Sequence, residues 1–306
     1  MVQHSHIPHS GHSLPPVEYR LFIPAQLTQP HPAVLLHGFA TTGLQLFGAT
    51  GWVRQYVRAG YAVLLVDFPF HGESFIKDSV EFDAKLPAGT AVLSGSVPVD
   101  EHENMLAEYA RALSHLIEQV PDAVAHSGGP AEMQILPAAH VMGFSFGART
   151  AWELSTLYPE RVVSLVLGGL PVHDHLYALD VLLNASPESL SESQLRVRDE
   201  AQQAFEPILS GSILETRALA DFVALPYAPL AAELSAGRLP AVPVLLVAGD
   251  EDSIAADTPM LLQSLEAANR PAELLMLPGR DHVNALTSGV FRRAALAHAA
   301  SADSAV

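Results

Sequence analysis

Apolar positions along the chain fall into short uninterrupted runs, separated by longer stretches in which they recur every three or four residues. The runs AVLLH (33–37), AVLLVD (62–67), HVMGF (140–144), RVVSLVL (161–167), VPVLLVAG (242–249) and AELLMLP (272–278) are almost uniformly apolar. That is the pattern of parallel strands covered on both faces. Helical spacing lies between them, near 45–59, 102–119, 146–157, 258–269 and 283–300. Pro121, Pro159 and Pro271 stand close behind three of these stretches and are expected to mark helix ends. The alternation predicts an α/β fold, a doubly wound and mostly parallel sheet flanked by helices. VEYRLFIP (17–24) is expected to add an antiparallel edge strand.

Two stretches break the rhythm. Residues 172–240 hold no strand-like run, only Ala/Leu-rich helical sequence interrupted by prolines, and read as a helical cap inserted between two strands. Residues 75–100 mix Gly, Pro, Ser and charge and read as a long loop. The expected organisation is a core in two parts, 17–171 and 241–300, with the cap between them. The small polar termini, 1–16 and 301–306, are expected to be disordered.

Composition narrows the class. At 306 residues with 49% apolar and 16% charged positions, a chain of this size buries roughly 75% of its unfolded surface without metal or disulfide. Cysteine is absent, which excludes disulfides, thiolate metal sites and a cysteine nucleophile. A formal net charge of −17 argues against nucleic acid as a partner, since phosphate binding needs clustered Lys and Arg. No apolar stretch is long enough to span a membrane. The first residues, MVQHSHIPHSGHSLPP, carry neither a basic nor an apolar signal region, so a cytoplasmic location is expected.

The chemistry concentrates at Gly143-Phe144-Ser145-Phe146-Gly147. Gly-x-Ser-x-Gly between a strand and a helix is the pattern of a nucleophile elbow, so sharp a turn that side chains two places from the serine would clash. The serine hydroxyl then stands clear of the sheet at a helix N-terminus. Alone, the pentapeptide is a weak signal; the apolar run before it and the helical ARTAWELSTLYP after it raise its weight. A hydroxyl nucleophile needs a base, and the base an orienting acid. Candidates follow the last two strand-like runs, in Gly249-Asp250-Glu251-Asp252 and Gly279-Arg280-Asp281-His282. In a parallel sheet those ends share one edge, where open α/β folds bind ligands.

Four blocks together resemble the α/β-hydrolase family in its capped serine-hydrolase form: HGF (37–39), VDFPFHGES (66–74), GFSFG (143–147), and the pair GDED and GRDH. The resemblance spans about residues 33–300. It implies Ser145 as nucleophile, His282 as base, Asp252 as acid, and the backbone N–H groups of Phe39 and Phe146 as an oxyanion hole. Asp250 in the same turn and Asp174 after the preceding strand remain alternative acids. Asp281 is an unusual charge beside the base. His37 and His71 fit loop-shaping better than catalysis, and His173 and His175 fit solvated loop positions better than metal ligation. His4, His6, His9 and His12 suit at most weak adventitious metal binding.

The implied activity is acyl transfer from a small-molecule acyl substrate to Ser145 and then to water, with no cofactor and no metal. A carboxylic ester is the expected substrate. A thioesterase, lactonase, peptidase or carbon–carbon bond hydrolase would use the same triad, and a non-catalytic ligand-binding protein could keep the fold. No Walker-type loop or convincing GxGxxG is present, which argues against nucleotide use. An imidazole base must be neutral to accept a proton, so the pH–rate profile is expected to fall below about pH 6 to 7. A profile flat to pH 4 would contradict a histidine base.

Overall fold

The computed structural model describes residues 14–77, 86–100, 103–127, 133–173 and 175–304. In chain order the elements are β1 (Val17–Ile23), β2 (Ala33–Leu36), α1 (Trp52–Arg58), β3 (Val63–Asp67), β4 (Ala91–Val97), α2 (Met105–His126), β5 (Ala139–Phe144), α3 (Phe146–Leu157) and β6 (Val162–Gly168). They continue with α4 (His175–Asn184), α5 (Glu192–Ser210), α6 (Thr216–Val223), α7 (Leu230–Ser235), β7 (Val244–Gly249), α8 (Thr258–Ala267), β8 (Ala272–Leu277) and α9 (Gly289–Asp303). The strands form one eight-stranded sheet in the order β4-β1-β3-β2-β5-β6-β7-β8. From β3 to β8 every pairing is parallel, while β1 runs antiparallel to both β3 and β4.

The uninterrupted apolar runs have a direct cause. Successive strand residues face opposite sides of a sheet, and both sides here are covered. Val34 and Leu36 of β2 join the core under α2 and α3, whereas Ala33 and Leu35 join the core under α1 and α9. The same division runs through β3, β5, β6 and β7, so these strands have no solvent-facing position to mark with a polar residue. Burial of each such Val or Leu contributes about 1.5–3 kcal/mol relative to exposure, enough in sum to override weak local propensity. β8, at the sheet edge, is only partly covered, with Met276 exposed.

Four expectations need correcting. β1 is not an edge strand: all seven of its residues pair with β4, from Val17↔Val97 to Ile23↔Ala91. β4 lies inside the stretch read as a loop. Its sequence AVLSGSV is mostly exposed, so neither burial nor clean alternation marks it as a strand. α2 does not stop at Pro121 but continues to His126; proline removes one N–H, and packing of Val120 and Val124 in the core holds the helix through it. At the other end, α9 extends to Asp303, beyond the boundary expected at 300.

The segment between β6 and β7 is helical, α4 to α7, and is bonded to the sheet-flanking helices. Met105 N–H donates to Pro226 O (2.8 Å) and Trp152 Nε1–H to Arg238 O (3.2 Å). Arg149 of α3 donates to Glu153 (2.9 Å) and to Ala228 O (3.1 Å), and Asn104 donates to Glu153 (3.3 Å). Arg149 and Glu153 are both buried. A buried pair adds little over apolar residues of equal volume, yet removing one partner strands the other charge at a cost of about 3–5 kcal/mol. Arg149→Met is therefore expected to lower unfolding stability by about that amount in urea denaturation, and Arg149→Met with Glu153→Leu to recover most of it. A single variant as stable as the double would contradict this account.

Candidate active site

Between β5 and α3 the chain reverses within one residue. Ser145 has φ 53° and ψ −116°, a conformation that costs a non-glycine residue about 1–3 kcal/mol. The flanking glycines make the turn possible. A Cβ on Gly143 would lie 2.3 Å from Gly147 O, and one on Gly147 would lie 2.1 Å from Leu36 O. Ser145 N–H donates to Gly168 O (2.8 Å) and Ser145 O accepts from Arg149 N–H (3.1 Å). Both of its backbone groups are thus committed, and the hydroxyl projects from a rigid support.

The turns after β7 and β8 meet directly. A Cβ on Gly249 would lie 1.9 Å from Arg280 O, and Glu251 N–H donates to that carbonyl (3.0 Å). This contact sets Asp252 against His282. His282 Nδ1 lies 2.8 Å and 3.0 Å from the two Asp252 oxygens, and His282 Nε2 lies 2.9 Å from Ser145 Oγ. Asp252 is buried and its Oδ1 also accepts from the N–H groups of Ile254 (3.1 Å) and Ala255 (3.0 Å), which fix the orientation of the carboxyl group. Nδ1–H donates to that carboxylate, which leaves the Nε2 lone pair for the serine O–H.

The alternative acids stand elsewhere. Asp250 accepts from Gly279 N–H (2.7 Å) and serves to join the two turns. Asp174 lies outside the described residues. Asp281 accepts from Val283 and Asn284 N–H (2.9 and 2.8 Å), closing the turn that carries His282.

His37 and His71 support the loop opposite. His37 Nδ1 lies 2.7 Å from Gly38 O and its Nε2 accepts from Phe68 N–H (3.1 Å). His71 Nδ1 lies 3.0 Å from Pro69 O and its Nε2 accepts from Ala40 N–H (3.2 Å). Each imidazole therefore donates through Nδ1 and accepts through Nε2, the neutral tautomer. Burial pushes His37 down to about 4 and His71 down to about 3, the latter also through its neighbour His37. Because His37 holds Gly38 O, the Phe39 N–H across that trans peptide points the opposite way. Gly38 in turn packs on Ser145, where a Cβ would lie 3.3 Å from the serine Cβ. Phe146 N–H opens α3 and has no intrahelical carbonyl to bond. Beneath the loop, buried Asp67 accepts from Gly43 N–H (2.6 Å) and Arg20 (3.2 Å); burial nevertheless pushes it up to about 6.

Ser145, Phe39 and Phe146 form the floor of a solvent-open pocket with about 540 Å³ of empty space, the open solvent at its mouth included. Leu176, Leu179, Phe205, Tyr227, Leu230 and Ile254 line its walls, so runs of the inserted helices that look like packing faces in sequence also form the cavity. Phe222 sits behind the floor, its ring 4.9 Å from Phe146 and 4.5 Å from His71. His173 is exposed, and His175 donates to Ile254 O (3.1 Å). Arg149, which also lines the cavity, had only a faint signal in the sequence, as a charge at the apolar start of the helix. A groove on the other flank of His282 is bordered by Glu200, Glu251 and Asp281.

A parallel α/β sheet with a serine, histidine and aspartate joined in that order along its C-terminal edge defines a class of hydrolytic folds. The sequence places the chain within it: residues 33–298 match the model of the alpha/beta hydrolase family, and the chain belongs to that family. No curated protein matches it in sequence. Among solved structures it is similar to a hydrolase from Pseudomonas aeruginosa PA01 (19% identity, TM-score 0.53, 92% of this chain and 93% of that one). It is also similar to a thermophilic esterase (20%, 0.52, 94% and 94%) and to a monoacylglycerol lipase from Paleococcus ferrophilus (15%, 0.54, 94% and 99%). At these identities the likeness is one of fold. Among the described residues, no helix is long and apolar enough to cross a membrane.

The supporting histidines predict an acid sensitivity of the fold. Their folded pKa values lie below the value of about 6.5 that histidine has in an unfolded chain. Between that pH and about 4 the unfolded state therefore binds protons that the folded state refuses, and stability falls as the pH drops. His37 alone accounts for about 3 kcal/mol over this window. Asp67 opposes the loss, since its raised pKa lets the folded state take up a proton first below about pH 6. Urea unfolding at pH 7 to 4 is expected to show a net loss of several kcal/mol, made steeper by Asp67→Asn. A flat profile would contradict buried neutral histidines.

Proposed function

We propose that the protein is a serine hydrolase that cleaves carboxylic esters of small to medium acyl chains through an acyl-Ser145 intermediate. One observation carries this reading: the Ser145 hydroxyl is 2.9 Å from His282 Nε2 at the floor of an apolar cavity. His282 takes the hydroxyl proton as Ser145 attacks the acyl carbon, and Asp252 holds the imidazole and offsets its positive charge. The carbonyl oxygen, now an anion, is received by the N–H groups of Phe39 and Phe146, each such donor being worth a factor of about 10² to 10³ in turnover. His282 returns the proton to the departing alcohol. Water then enters, is deprotonated by the same imidazole, and releases the acid.

In this reading residues 172–240 act as the cap. The acyl chain lies along Leu176, Leu179 and Phe205, and burial of each methylene contributes about 0.8 kcal/mol. A serine at the elbow also separates this site from relatives of the fold that place aspartate there.

The test is hydrolysis of p-nitrophenyl esters from acetyl to palmitoyl. Wild type is expected to turn over with an optimum at short to medium chains, and Ser145→Ala to lose at least about 10³-fold. Activity that survives in Ser145→Ala would overturn the nucleophile. A folded wild type inactive on every ester but active on thioesters, lactones or peptides would move the bond class and leave the triad.

A further inference from the structure

The opposite edge of the sheet, at the N-terminal ends of the parallel strands, holds a second group of ionisable side chains. His31 lies two residues before β2, His140 is the second residue of β5, and Asp303 ends α9. The two histidines are buried and Asp303 nearly so. His31 Nδ1 is 2.6 Å from Asp303 Oδ1, and His140 Nε2 is 3.1 Å from the same oxygen. Three donor atoms, one from each residue, lie within 4.8 Å of one another.

An ordinary ion pair explains only part of this arrangement. It satisfies His31 Nδ1 and Asp303 Oδ1, but His140 Nε2, Asp303 Oδ2 and the neighbouring Tyr61 hydroxyl are buried with no hydrogen-bond partner. Each such orphan costs about 1–3 kcal/mol, and three at one place are hard to retain without a ligand. At 3.1 Å from Asp303 Oδ1, His140 Nε2 still makes no hydrogen bond to it. Two ligands of a common ion can stand in that relation, since both aim at a point between them. On the far side of its ring, His140 Nδ1 is 2.9 Å from Ser164 Oγ. With the hydroxyl as acceptor, this contact leaves the Nε2 lone pair facing the cluster, as in the outer shell of many metal sites.

We propose that His31, His140 and Asp303 bind a divalent transition-metal ion, of which Zn²⁺ is the type. Two imidazole nitrogens and a carboxylate oxygen, with no thiolate, suit that ion, and a water takes the fourth position. Tetrahedral bonds of about 2.0–2.1 Å set ligand atoms about 3.3 Å apart. The His140–Asp303 spacing is close to that already. The His31–Asp303 contact opens on binding, and the wider His31–His140 gap closes. The ion staples the end of α9 to the starts of β2 and β5, on the edge away from Ser145, so its role is structural.

The test uses the full chain with His4, His6, His9 and His12 replaced by serine, so that the histidine-rich head does not contribute. Zn²⁺ titration by calorimetry is expected to show one ion bound at micromolar Kd or tighter. Co²⁺ is expected to give the intense visible bands of a low-coordinate site, a reading that needs no further variant. Zn²⁺ at a hundred times its Kd should raise Tm by about 5 °C. His140→Ala and Asp303→Asn should each weaken binding at least tenfold; Asp303, at the end of its helix, is the variant that keeps the fold if His140→Ala does not. No binding by the head-substituted chain, or binding that ignores both variants, would overturn the proposal and leave the cluster an ion pair with a buried water.

Discussion

The close approach of β5, α3 and β2 around Ser145 is the constraint on which the rest of the site depends. Backbone meets backbone there at distances that no side chain tolerates, so Gly143 and Gly147 are structural necessities. The serine adopts a strained φ and is held there by bonds to Gly168 of the sheet and Arg149 of α3. The same approach presses the 37–39 loop against the serine. A hydroxyl, a helix N-terminus and a pinned peptide N–H therefore converge because the backbone cannot pack otherwise.

Around that centre, the buried histidines and the carboxyl group of Asp252 each have fixed partners. His37 and His71 are neutral and each uses both ring nitrogens, so the loop they brace is held without placing a charge near the serine. Asp252 is held by two amides and the imidazole. Phe39, Phe146 and the residues of the inserted helices surround the serine with apolar surface, and electrostatic interactions are stronger in such a setting than in solvent. The Arg149–Glu153 pair, with Asn104, anchors the insertion to α3 itself, so the wall of the cavity and the turn that carries Ser145 rest on one helix.

Much of this is visible in the residues because it is local. The strand–turn–helix of GFSFG follows from a glycine–serine–glycine spacing, and the buried strands follow from runs with no polar position. Other features escape a local reading. β4 is mostly exposed and its apolar residues do not alternate with polar ones, and its identity as a strand comes from pairing with β1. Pro121 stops a helix in isolation but not one whose flanking residues are locked in a core. Asp250 and Asp252 are equivalent by composition, and only the contact of Gly249 with Arg280 decides which faces His282.

The sequence by itself determined the layered α/β class, the turn at Ser145 and the serine, aspartate and histidine offered at the strand ends, because each depends on neighbours along the chain. Tertiary structure decided which carboxylate meets the imidazole, which residues line the cavity, and that His31, His140 and Asp303 come together. Those outcomes depend on groups separated by tens to hundreds of residues, whose meeting is set by how the sheet orders its strands rather than by any local pattern.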